Sequence, residues 1–90
     1  MYFVYLIRSA KTDQLYIGYT NNLKRRLAEH NQDKSFSTKN KGPWGLVYCE
    51  VYKSMEDAKE REFRLKYYGR ALFQLKRRIK RSLEGDPALV

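Results

Sequence analysis

The sequence has little cysteine, histidine or carboxylate and no long apolar run, and each shortage excludes something. The single cysteine, Cys49, excludes a disulfide within the chain and fits a reducing compartment. No apolar run approaches the roughly 20 residues that cross a bilayer. The apolar start is too short for a signal peptide and lacks a basic region before it. We therefore expect a cytoplasmic protein, and Cys49 with His30 alone makes no zinc site.

The shortage of carboxylates leaves the chain strongly basic. Ten Asp and Glu residues stand against 19 Lys and Arg, for a net charge of +9. Ten of the basic residues lie between Lys59 and Arg81, with Glu60 and Glu62 as the only carboxylates there. Such a field attracts polyanions, and eight tyrosines add stacking surfaces. These features favour nucleic acid as the partner, with a solvated basic helix face or an acidic membrane surface as the alternatives.

Ninety residues make one domain with a modest core. Segments rich in β-branched and aromatic residues predict strands at 2–8, 15–19 and 46–52. The polar turn between the first two predicts a hairpin. We expect a small α/β domain over residues 1–83, in which a three-stranded antiparallel sheet is flanked by helices. Residues 84–90 are expected to form a disordered tail.

Helix signals follow the predicted strands. Thr20 is the expected N-cap of a helix that continues to His30. Residues 31–41 are polar and basic without apolar periodicity, which predicts a surface loop. Ser54 begins a capping signal for a second helix, and Gly69 is expected to end that helix. A third helix is predicted from three apolar residues at helical spacing, Leu72, Leu75 and Ile79.

Two tyrosine-bearing segments precede the first helix: Val-Tyr-Leu at 4–6 and Tyr-Ile-Gly at 16–18. Arg26 lies ten positions after the second tyrosine, and His30 follows one helical turn later. Glu62 lies on the second predicted helix in an Ala-x-x-x-Glu setting. Over nearly its whole length the chain resembles the GIY-YIG nuclease domain. It looks most like small single-domain members related to the nuclease domain of the excision-repair endonuclease.

The resemblance implies a site that hydrolyses phosphodiesters. This reaction needs a nucleophile, charge stabilisation at phosphorus and help for the leaving oxygen. By resemblance, two tyrosines transfer a proton or hold water or phosphate, and an arginine binds the phosphate. A histidine accepts a proton, and a glutamate binds Mg²⁺ or Mn²⁺. The five residues are Tyr5, Tyr16, Arg26, His30 and Glu62.

Each of these residues also has a plain structural interpretation. Tyrosines are common in strands, and a phenol with a pKa of about 10 is a poor base unless a cation lowers that pKa. An exposed helix arginine and a surface histidine near a helix end are both usual. Glu62 has Lys59, Arg61 and Lys66 close by as ion-pair partners. The resemblance, rather than any single residue, favours the catalytic interpretation.

Basic and polar side chains around the predicted site are candidates for contacts with phosphates. Such contacts bind the nucleic-acid backbone without selecting a base sequence. The candidates are Lys24, Arg25, Ser37, Thr38, Lys39 and Lys41. For the four that lie in the 31–41 segment, an ordinary mobile loop is the alternative.

Three functions stay open at this point. The first is a metal-dependent DNA endonuclease that recognises branches, nicks or damage, in DNA repair. The second is a nucleic-acid-binding module with little or no catalysis. Phe3 and Val4 depart from the first family motif, and the chain offers Gln74 and Lys76 where some members carry an asparagine. The third is a protein-interaction module, and a protein partner that supplies specificity is a further expectation of the first.

Overall fold

A three-stranded antiparallel sheet organises the domain, as the sequence predicts. The computed structural model describes residues 1–85. Strand β1 (Tyr2–Ser9) lies between β2 (Leu15–Thr20) and β3 (Trp44–Tyr52). Both neighbours run antiparallel to β1. The expected α/β fold with flanking helices is confirmed.

The helices follow the predicted order with shifted boundaries. In the described residues they are α1 (Leu23–Asn31), a short 3₁₀ helix (Phe36–Thr38), α2 (Met55–Tyr67), α3 (Gly69–Arg78) and α4 (Lys80–Leu83). None of these helices is long and apolar enough to cross a membrane. Most of the tail predicted over 84–90 lies outside the described residues, so that expectation stays a prediction.

The start of α1 differs from the prediction. Thr20 is still the last residue of β2, where it pairs with Phe3. Asn22 is the N-cap instead, and its side-chain oxygen accepts the backbone N–H of Arg25 at 3.0 Å. Asparagine is a strong N-cap because its short side chain reaches an otherwise unpaired N–H of the first turn. The Thr20 hydroxyl serves the turn before the helix by accepting the Asn22 backbone N–H at 3.1 Å.

The predicted surface loop over 31–41 is partly wrong. It contains the 3₁₀ helix, and the side chains of Ser35 and Thr38 point into the domain. The Thr38 carbonyl accepts the indole N–H of Trp44 at 3.2 Å. Because Trp44 is itself buried, this bond holds the 3₁₀ helix against the core. Polar residues therefore fill interior positions that an apolar pattern could not reveal.

Successive residues of β1 supply two separate core clusters, because side chains alternate between the faces of a strand. Val4 and Leu6 pack against helices α2 and α3. Tyr5 and Ile7 pack with Leu27 of α1 on the other face. A tyrosine thus occupies a central core position on the face that α1 covers.

Gly18 makes room for that tyrosine. It pairs with Tyr5 across β1 and β2. A Cβ atom at Gly18 would lie 2.6 Å from Cζ of Tyr5, well inside van der Waals contact. The glycine of the Tyr-Ile-Gly segment is therefore explained by the close approach of the Tyr5 ring to the backbone of β2.

We predict that Gly18→Ala lowers the free energy of unfolding by about 1–3 kcal/mol, because the added methyl group forces the Tyr5 ring out of its position. Urea unfolding of purified variants measures this change. Gly69→Ala is the matched control, since a Cβ there meets nothing within 4 Å. The control should be neutral or stabilising by up to about 1 kcal/mol. An unchanged stability in Gly18→Ala would contradict this explanation of the glycine.

Candidate active site

The side chain of His30 lies completely buried between Tyr5 and Thr38. Its Nε2 is 2.7 Å from the Tyr5 hydroxyl, and its Nδ1 is 2.7 Å from the Thr38 hydroxyl. Burial, and then the positive charge of Arg26, lower the pKa of His30 to about 4. The imidazole is therefore neutral at pH 7, and one of its nitrogens donates while the other accepts.

The hydroxyl of Tyr5 is equally enclosed. Burial raises the pKa of Tyr5 to about 12, although the neighbouring Arg26 acts in the opposite direction. A guanidinium can only donate hydrogen bonds, so Arg26 faces the lone pairs of the phenol oxygen. The phenol proton is then directed to Nε2 of His30. This arrangement leaves the imidazole proton on Nδ1, where it is donated to Thr38.

Arg26 is held by α1 and by the segment before the 3₁₀ helix. Its guanidinium donates to Glu29 at 3.0 Å and to the Ser35 hydroxyl at 3.2 Å. Burial opposes the charge, but hydrogen bonds to Glu29 and Tyr5 prevail and raise the pKa of Arg26. The side chain is 29% exposed. A fixed, charged fork with an open side is suited to binding a phosphate.

Tyr16 extends the aromatic side of the cluster. Its ring centroid lies 5.1 Å from that of His30 and 6.5 Å from that of Tyr5. The ammonium of Lys66, on α2, lies 5.1 Å from the centre of the Tyr16 ring. Tyr16 is half-buried, so it lies between the enclosed Tyr5–His30 pair and the surface.

Glu62 reaches the same region from α2. Its carboxylate lies 3.4 Å from the ammonium of Lys66, and its negative charge contributes to the raised pKa of Tyr5. The side chain is 20% exposed. Of the three ion-pair partners considered for Glu62, Lys66 is the one in contact, whereas Arg61 binds Glu50 at 2.9 Å. The structure thus brings all five predicted site residues together from β1, β2, α1 and α2.

The residues present fit a loosely held divalent ion. Within residues 1–85 no group of three or more His, Cys, Asp or Glu side chains could enclose a metal. Glu62 offers one carboxylate, and Mg²⁺ commonly binds one or two carboxylates and completes its shell with water and phosphate oxygens. Lys66 shares that carboxylate, so an ion at Glu62 competes with the ammonium of Lys66.

The predicted phosphate contacts divide into two groups. Lys24, Arg25, Ser37 and Lys39 are exposed, and Lys41 is partly buried. Thr38 is a correction, because its side chain is completely buried and bonded to His30. It cannot touch a nucleic-acid backbone in this conformation. Its hydroxyl positions the imidazole instead.

Two residues of the cluster escaped prediction in their present roles. Ser35 orients Arg26, and Thr38 orients His30. Both partners lie eight or nine positions away along the chain, in a segment without periodicity. Only the closure of the 31–41 segment over α1 brings them into contact. No spacing rule in the sequence signals such pairs.

We predict a stability loss in mild acid that depends on His30. The folded pKa of about 4 lies below the ordinary value of 6.5. The unfolded chain therefore takes up the proton first as pH falls. The contribution of His30 is complete above pH 6.5 and declines toward pH 4, by about 2 kcal/mol between pH 7 and pH 5. Urea unfolding of the wild type and of His30→Gln at both pH values measures it. The loss should be smaller in the variant, and equal losses would contradict the prediction.

We also predict an unusual order of tolerance at position 38. Thr38→Val keeps the shape but leaves the buried N–H of His30 without an acceptor, which costs about 1–3 kcal/mol. Thr38→Ser keeps the hydroxyl and loses one methyl group, which costs about 1 kcal/mol or less. Thermal or urea unfolding compares the two variants. If Val proves as stable as Ser, the hydroxyl has no part in holding the imidazole.

Comparison with known proteins agrees with this geometry. The chain matches the GIY-YIG catalytic domain over residues 1–71, a segment that contains all five clustered residues. A UPF0213 protein of Staphylococcus haemolyticus is 39% identical over 70 residues, covering 77% of this chain and 84% of that protein. A UPF0213 protein of Clostridium perfringens is 37% identical over 67 residues, covering 73% and 71%. The solution NMR structure of a UPF0213 protein from Bacillus halodurans is similar with a TM-score of 0.51 and 31% identity, over 97% of this chain and 89% of that one.

Proposed function

Because this chain belongs to the GIY-YIG family, we propose that it is a metal-dependent endonuclease that hydrolyses phosphodiester bonds in DNA. Family membership implies a nucleic-acid substrate. The observation that carries the proposal is the hydrogen bond between the buried hydroxyl of Tyr5 and His30, beside the fixed guanidinium of Arg26. Proton transfer and phosphate binding are thereby available at one place.

In the proposed reaction Tyr5 is the group that takes a proton from the attacking water. Its own proton passes to Nε2 of His30, 2.7 Å away. A free phenolate is unfavourable here, since the pKa of Tyr5 is about 12 and that of His30 is about 4. The two transfers therefore occur together, and the phenol stays neutral on average. A bound phosphate assists, because its negative charge offsets that of Arg26 and raises the pKa of His30.

Arg26 binds the phosphate and stabilises charge as the reaction proceeds. Its fork is oriented by Glu29 and Ser35 before the substrate arrives, so little reorganisation is needed. Tyr16 lies nearer the surface and holds the water or a phosphate oxygen. The half-buried ring and hydroxyl of Tyr16 suit a positioning role, since the hydrogen bond to His30 belongs to Tyr5.

Glu62 is the proposed ligand of Mg²⁺ or Mn²⁺, and such an ion stabilises the charge that develops on the leaving oxygen. Lys66 then moves away from the carboxylate and becomes free to contact a flanking phosphate. Lys24 and Arg25 are exposed on α1 and bind the backbone on the Arg26 side. With few side chains available to recognise bases, we expect selectivity for DNA structure rather than for sequence. A role in DNA repair, a protein partner that adds specificity and a cytoplasmic location are further expectations.

A nucleic-acid-binding module with weak catalysis is the second candidate. One observation favours it: Lys66 occupies the carboxylate of Glu62 at 3.4 Å, so the metal must displace a cation that the chain itself supplies. The exposed basic residues serve binding equally well without cleavage. Cleavage assays separate the two candidates.

We predict that supercoiled, branched or single-stranded DNA is cut in the presence of Mg²⁺ or Mn²⁺. In Glu62→Gln and in Arg26→Ala the cleavage rate should fall at least about 100-fold, because each variant removes a charge that acts on the phosphate. Binding of the same DNA, measured without metal, should change by less than about tenfold.

Glu60→Gln is the matched control for Glu62. Glu60 lies on the same helix, is exposed and pairs with Arg64 at 3.0 Å. Its replacement should leave the cleavage rate within about twofold, since exposed pairs of this kind contribute little. Cleavage that survives in Glu62→Gln or Arg26→Ala would refute the proposed site. Tight binding without any cleavage by the wild type would favour the second candidate.

A further inference from the structure

Three aromatic side chains lie exposed and in mutual contact where α2 meets α3. Phe63 is 51% exposed, Tyr67 68% and Tyr68 52%. The ring centroid of Phe63 is 4.8 Å from that of Tyr67 and 6.0 Å from that of Tyr68. We call these three residues the aromatic patch. Exposed aromatic side chains that cluster in this way mark interaction surfaces, whereas isolated exposed apolar residues are ordinary.

Cations surround the aromatic patch. The guanidinium of Arg64 lies 5.7 Å from the centre of the Tyr68 ring. Lys66 and Arg70 flank the patch along the chain, and Arg70 has no carboxylate within ion-pair distance among residues 1–85. A second copy of the chain would bring its own cations against these, which disfavours self-association through the patch. A polyanion that carries flat apolar groups matches both properties.

The aromatic patch adjoins the candidate active site on the same helix. Phe63 directly follows Glu62, and Tyr67 directly follows Lys66. Successive residues of an α-helix are rotated by about 100°, so the aromatic face lies about a quarter turn from the face that carries Glu62 and Lys66. A strand bound at Arg26 and Glu62 can therefore continue onto the patch.

We infer that the aromatic patch stacks unpaired bases of a single-stranded nucleic acid segment. Every base offers a flat face, and stacking on exposed aromatic side chains beside arginine or lysine is a common way to bind single strands. In a duplex those faces are already stacked on one another, so the patch discriminates between the two forms. The consequence for the reaction, a substrate with a single-stranded segment next to the bond that is cut, rests on the proposed nuclease function.

The test is a binding titration without divalent metal, by fluorescence anisotropy, with a short labelled DNA single strand and the matching duplex. The variant is Phe63→Leu combined with Tyr67→Leu, since leucine keeps apolar bulk and favours helix but cannot stack as a ring does. Affinity for the single strand should fall about tenfold or more. Affinity for the duplex should stay within about twofold.

Phe73→Leu is the matched control. Phe73 is 60% exposed and lies 5.9 Å from the guanidinium of Arg77, but it makes no ring contact with the aromatic patch in the described residues. This variant should bind both DNA forms as the wild type does. The inference is overturned if the double variant binds single strands normally, if it loses both DNA forms equally or if Phe73→Leu loses as much.

Two further measurements keep this inference distinct from the nuclease proposal. Sedimentation of the wild type should give a monomer, and a dimer that persists in the leucine variant would mean that another copy covers the patch, which overturns the inference. If the wild type binds single strands through the patch but cuts no DNA with Mg²⁺ or Mn²⁺, the nuclease proposal fails and the stacking inference stands.

Discussion

The hydrogen-bonded line from Tyr5 through His30 to Thr38 is the interaction around which the site is built. All three side chains are almost completely removed from water, and each junction is 2.7 Å long. Polar groups buried to this extent are costly unless every donor has an acceptor. The same bonds that satisfy the core therefore also set the tautomer of the imidazole. Stability and proton-transfer geometry have one physical origin here.

This origin explains why the residues around the line are what they are. Gly18 lacks a side chain because the Tyr5 ring lies across the backbone of β2. The 3₁₀ helix is held by Trp44 and in turn holds Thr38 and Ser35 against α1. Arg26 is thus fixed from both sides although it is partly exposed. A surface segment that would otherwise be loose becomes the wall of the site.

The outline of the fold and the identity of the main site residues could be predicted from the sequence. The β-branched and aromatic residues of β1 and β3 and the helical spacing of Arg26 and His30 are local patterns, and the structure contains them. The N-cap moved from Thr20 to Asn22 because two capping residues stand close together and only one reaches the first turn. Thr38 was misplaced on the surface because its partner is a histidine on another element. A polar side chain that satisfies a buried polar group leaves no trace in hydrophobic periodicity.

The central claim is that a neutral His30 accepts the proton of Tyr5 at Nε2. Nitrogen NMR of the imidazole at pH 7 measures this directly. We expect a proton on Nδ1 and none on Nε2, with a shift of the Nε2 signal in Tyr5→Phe, where the donor is absent. A proton found on Nε2, or a doubly protonated ring at pH 7, would contradict the claim and remove the proposed path for the proton.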